Sequence, residues 1–255
     1  MTGPLHFADS GEAADLAAFL GRLVHYDRAA AVRLQAGGLA LAVFGRPPSF
    51  EVLAIRTVRL AAPFGTPLDV TVSAGELLES VDEAAASALV PGPVTGPPWA
   101  GLLPPRGGWQ QLSGLPGPEQ MRDAVAAAVA EFRTRDEALP VQHRTRSERD
   151  RIGREIWSRT LGDTELPLRV VHAAQSLGFL RPVRSAVPAA PAGLQAPAVP
   201  ATGLQAPAVP ATGAPAPVAL LASGTWLRLR TPYGSVATRR PGSSSGLGAF
   251  QVRPV

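Results

Sequence analysis

The chain has 255 residues, enough for one large domain or two small ones around an apolar core, and 45% of it is hydrophobic. Its formal net charge is only +4, and every cation is an Arg, because Lys is absent, as is Cys. Those absences exclude a Walker-type phosphate lysine, a Schiff base, a lysine general base, a disulfide, a thiol nucleophile and a cysteine zinc site.

Charge is unevenly placed. Residues 1–90 carry 6 Arg against 10 acids, residues 133–184 carry 11 Arg against 7, and from Ala219 onward there are 5 Arg and no acid. An acidic front and a basic back direct any anionic partner to the C-terminal part. The opening MTGPLHFADSGEAAD has no basic run followed by an apolar one, so it does not read as a secretory signal. No apolar stretch approaches the ~20 residues of a membrane helix. The expectation is a soluble cytoplasmic protein with no membrane partner.

Residues 1–90 read as an α-β-β-β-β-α unit. Leu16, Phe19, Leu20, Leu23 and Val24 form one helical stripe, begun by Asp9 and Glu12 as a capping pair. The period then drops to two in AVRLQA, where Val32 and Leu34 alternate with Arg33 and Gln35. A Gly37–Gly38 turn leads to LALAVFG, and FEVLAIRTVRL and LDVTV supply two more strands. Ser73 and Glu76 form a capping box for a helix carrying Leu77, Leu78 and Val81. The expected arrangement is an antiparallel four-stranded meander with flanking helices.

Residues 91–118 are dense in Pro and Gly yet contain Trp99, Leu102, Leu103, Trp109 and Leu112. Rings of that size are costly to leave in water, so this segment is expected to lie against a domain as ordered coil. Residues 119–184 read as three helices. The first presents Met121, Val125, Ala128, Val129 and Phe132 on one face, with acids at its N-terminal end and Arg at the other. The second, over roughly 146–160, carries Asp150/Arg154 and Glu155/Arg159 at i, i+4, and the third begins at Pro167 and stops at Gly178. GFLRPV is then expected to resume extended structure.

The ten-residue phrase GLQAPAVPAT occurs twice in tandem, over 193–212. Proline at this density favours extended, unpacked chain, so 185–218 reads as a disordered linker. Residues 219–240 follow as a β-hairpin, with TWLRLRT and GSVATRR flanking a PYG turn, and 241–255 as a flexible tail. The whole is an α+β chain: a meander domain, then a helical part completed by a C-terminal hairpin.

No residue is assigned to catalysis, to a metal or to a cofactor. GSSSG at 242–246 matches the nucleophile-elbow pattern, but neither Asp nor His follows it. His6, His25, His143 and His172 lack metal-type spacing. Asp82–Glu83 and Asp136–Glu137 are adjacent in sequence and do not share a helical face. The strongest functional pattern is the order helix, helix, helix, strand, loop, strand, which matches a winged helix. Its third helix would present Arg169, His172, Gln175 and Ser176 to base edges, and its wing would offer Arg228 and Arg230 to phosphates.

The phrases LPLRVVHAAQSLGFL and WLRLRTPYGSVATR, set in an Arg-only, Ala/Pro-rich chain, resemble an uncharacterised protein family of high-GC actinobacteria. The resemblance implies no activity and no site residue. The leading functional expectation is a non-catalytic intracellular interaction or regulatory protein with an unknown protein partner and no cofactor. A DNA-binding regulator using the basic C-terminal part is the alternative, and an enzyme acting through carboxylates and Arg the third reading.

Overall fold

A computed structural model describes residues 3–65, 67–182 and 217–240. The repeat at 193–212, most of the 185–218 linker, and the 241–255 tail with its GSSSG lie outside the described residues.

The chain starts with a two-residue strand β1 (Leu5–His6) and helix α1 (Ser10–Tyr26), whose N-cap Asp9 accepts the Glu12 backbone N–H at 2.9 Å. The apolar stripe of α1 is buried through Leu16, Phe19, Leu20 and Leu23. Strands β2 (Ala31–Gly37) and β3 (Ala40–Gly45) form a hairpin in which Leu34 faces Val43. Strand β4 (Leu53–Arg59) follows, then β5 (Leu68–Ser73) and α2 (Ala74–Glu79), with Ser73 Oγ accepting from Glu76 N. Strand β6 (Ser87–Ala88) pairs with β1 in a small separate sheet. β5 corrects the expected simple meander, because it returns to pair with β2 rather than with β4. The order β5-β2-β3-β4 is a Greek key.

A short strand β7 (Gln110–Leu112) precedes the helices α3 (Pro118–Glu137), α4 (Arg146–Trp157) and α5 (Leu168–Ser176). The C-terminal part holds three strands: β8 (Ala219–Ser223), β9 (Trp226–Thr231) and β10 (Gly234–Arg239). The expected α+β class is the one adopted, with flanking helices, a helical part and a C-terminal hairpin inside a large sheet. That sheet runs β5-β2-β3-β4-β10-β9-β8-β7, every neighbour antiparallel. Its two halves meet where Ala54 of β4 faces Val236 of β10. β4 is therefore central, and Leu53, Ala54, Ile55 and Arg56 are buried in succession, as a strand covered on both faces requires.

The winged-helix order does not survive. After α5 the chain turns instead of extending. Gly178 (φ 72°) donates to the Gln175 carbonyl and Phe179 to the Ala174 carbonyl, a Schellman stop. Phe179 is buried, stacked 5.7 Å from Phe19 of α1. Its ring also lies so close to Gly234 that a Cβ there would come within 2.6 Å of the ring. One continuous core joins the helices to the inward side chains of the sheet, including Leu34, Val43, Val58, Leu220, Leu229 and Val236.

Candidate binding face of the sheet

Alternation along the strands makes the two faces of the sheet chemically different. On β9, Leu227 and Leu229 point to the helical layer, while Trp226, Arg228 and Arg230 point to the other face. There Phe44, Leu53, Ile55, Trp226 and Ala237 form a second apolar cluster, and Trp99, Leu103 and Trp109 of the Pro/Gly segment pack over it. That segment is fastened from several sides. Arg33 donates to the Ala100 carbonyl at 2.6 Å, Val94 N–H donates to the Thr71 carbonyl, and Ser223 Oγ donates to the Gly107 carbonyl at 3.3 Å, while within the segment Trp109 Nε1 donates to the Pro105 carbonyl at 2.9 Å.

The cover is partial. Between β2–β4 and Pro104–Arg106 lies an open groove of about 360 Å³, floored by Ala42, Phe44 and Ile55, with Gln35, Thr57, Arg106 and Arg228 at its polar margin. Arg228 donates from Nε to Ser235 Oγ at 2.8 Å, and its guanidinium stands 5.6 Å from the Trp109 ring centre. Burial, then the charge of Arg230, holds its pKa below the usual arginine value. The Arg230 Nε is buried without a hydrogen-bond partner. All 20 acidic side chains of the chain lie among the described residues, and none pairs with Arg228 or Arg230.

The other four residues read as a groove-facing set lie in the helical layer, behind the sheet. α5 is buried through Val170, Val171, Ala173 and Ala174, in the same core as Leu229 and Val236. His172 stacks 4.2 Å from the Trp157 ring and meets Phe50 edge-on at 5.0 Å, and burial holds its pKa below the ordinary histidine value. Arg169 is half-buried with its Nε unpartnered, Gln175 is exposed and Ser176 half-buried. Because α5 packs on one face of the sheet while Arg228 and Arg230 project from the other, the six residues do not share a surface.

One cluster went unseen in the sequence. Arg56 is in phase with Ala54 and Val58 and so points inward; only 5% of it is exposed. It binds Glu12 at 2.8 Å, Asp15 at 3.3 Å and the Tyr233 carbonyl at 2.8 Å. Arg59 adds contacts to Glu12 and Asp9, and Arg181 pairs with Asp15 while lying 3.7 Å over the Tyr233 ring. Three acids meet three arginines, so this is a balanced clamp between α1, β4 and the β9–β10 turn. The legible signal was an Arg at an inward position of an otherwise apolar strand. Among the described residues no group of His, Asp and Glu is placed to hold a metal ion, and no helix is long and apolar enough to cross a membrane.

Residues 1–101 match the model described as Domain of unknown function (DUF8010), and residues 104–243 match Domain of unknown function (DUF8185). The second match covers more than half of the chain, which belongs to that family. No curated protein and no solved structure matches the chain. The two matches divide within the Pro/Gly segment, although the sheet runs unbroken across both.

Proposed function

We propose that this family member is a non-catalytic, cytoplasmic interaction or regulatory protein of high-GC actinobacteria, which receives a partner on the sheet face opposite its helices. One observation carries the reading: that face is left partly uncovered and offers an apolar floor beside Arg228 and Arg230, which pair with none of the chain's Asp or Glu side chains. Such a combination of apolar area and unspent charge suits recognition. Several of the acids an enzyme would need are instead held in ion pairs, Glu12 and Asp15 by Arg56 and Glu131 and Glu155 by Arg159 and Arg135. The actinobacterial origin is supported by the Arg-only, Ala/Pro-rich composition.

The DNA-binding alternative keeps Arg228 and Arg230 as phosphate contacts but has no recognition helix beside them. The two readings separate in one preparation. The purified chain is presented with genomic DNA fragments at low and high salt, and with the proteins of the same cells. The interaction reading expects a protein partner retained at both salts and no retained DNA. Retention of DNA at low salt, with a salt slope that falls by about one unit in Arg228→Ala, would establish the DNA reading instead.

A further inference from the structure

We propose that Arg228 and Arg230, with Arg106 at the rim, form a binding site for a small organic oxyanion, a carboxylate or phosphate monoester carrying an apolar body. This goes beyond the partner reading and holds whether or not a macromolecule docks on the same face.

The argument begins with unbalanced charge. Arg228 and Arg230 are two positions apart on β9, so they project side by side from one face. Both are half-buried, and among the described residues the Arg228 head makes one hydrogen bond, its Nε donating to the neutral Ser235 hydroxyl. Two desolvated like charges without a counterion are unfavourable. Three other buried or partly buried arginines of this chain have one: Arg56 has Glu12, Arg33 has Asp69, Arg181 has Asp15. No Asp or Glu occurs from Ala219 to the end of the sequence, and every acid of the chain lies among the described residues, away from this pair. No Asp or Glu side chain of the protein supplies the counterion, which leaves the position open to an anion from outside.

The groove defines the rest of the ligand. Its volume of about 360 Å³ sits at the small end of the range for small-molecule sites. Phe44 and Ile55 floor it and Pro104 and Pro105 wall it, so an apolar or aromatic body is accommodated beside the guanidinium. A free guanidinium edge at the margin matches the paired oxygens of a carboxylate or phosphate. Trp109, against Arg228, gives an intrinsic fluorescence signal.

The test uses the full chain at fixed ionic strength, with Trp fluorescence and thermal shift read together. The probes are 4-phenylbutyrate, phenyl phosphate and the uncharged 4-phenylbutyramide. The proposal expects saturable binding and a raised Tm with at least one anion, and neither with the amide. Preference between the two anions identifies the head group. Arg228→Met should weaken that binding about tenfold or more while leaving the ligand-free Tm unchanged or higher. Arg106→Gln, at an exposed position, should weaken binding about threefold without touching the core; it carries the test if Arg228→Met does not fold. Equal binding of the amide, unchanged affinity in the variants, or no saturable binding of either anion would overturn the site.

Discussion

The Arg56 clamp shows how much location decides what an ion pair contributes. Arg56 is almost wholly buried and serves Glu12, Asp15 and a carbonyl, whereas the Arg59 side chain is 65% exposed while touching Glu12 and Asp9. Removing one partner of a buried pair strands the other in low dielectric, so Arg56→Met should cost about 3 kcal/mol or more. Arg59→Ala should cost less than about 1 kcal/mol, because water and salt already screen it. Urea denaturation of the two variants reads the difference, and equal losses would contradict it. His172 gives a pH dependence of known sign. Burial between Trp157 and Phe50 lowers its folded pKa, so the unfolded chain takes up the proton first as pH falls. The contribution from the neutral ring is complete above about pH 6.5 and is lost as pH drops through the folded value. His172→Phe keeps the ring packing and should flatten stability between pH 7 and 5 relative to wild type. Arg56 and His172 were also the residues hardest to read from sequence. Alternation places Arg56 inward but does not name its partners, and a helical position cannot tell an exposed imidazole from one stacked between rings.

At the scale of elements, the stop of α5 and the start of β10 are one joint. Gly178 holds the left-handed conformation of the Schellman turn, which delivers the Phe179 ring onto Gly234. Gly178→Ala should cost about 1–2 kcal/mol through backbone strain alone. Gly234→Ala would force Phe179 aside and should cost about 1–3 kcal/mol. Adding Phe179→Leu should recover part of the second loss, and strict additivity in that double-mutant cycle would show that the contact is unimportant. Trp226, 9% exposed in the second cluster, should cost about 3–5 kcal/mol when cut to Ala. Most elements were legible: the α1 stripe, the alternation of β2 and β3, the Ser73 cap and the three later helices. The extension expected after Gly178 was not formed, because LGFL is apolar enough to fill the space between α1 and β10 as a turn. β8, ALLAS, has no alternation to announce it, since it is buried on both sides.

For the whole molecule, the decisive fact is the β4–β10 seam, which makes one sheet of two family-matched segments. Periodicity tells which face of a strand is apolar but not which strand lies beside it, so neither this seam nor the return of β5 to β2 could be read from the chain. The same limit hid the separation of the candidate residues. The acid-free C-terminus drew attention to Arg228 and Arg230, but only the register puts them on the face away from Arg169, His172, Gln175 and Ser176. The account therefore rests on a division of labour: helices on one face for stability, the other face for binding. Photo-crosslinking in the native cell measures that division directly, with a benzophenone side chain placed either at Thr57, exposed in the groove, or at Gln175, exposed on α5. The account predicts a specific adduct from position 57 and none from position 175; an adduct from position 175 alone would contradict it.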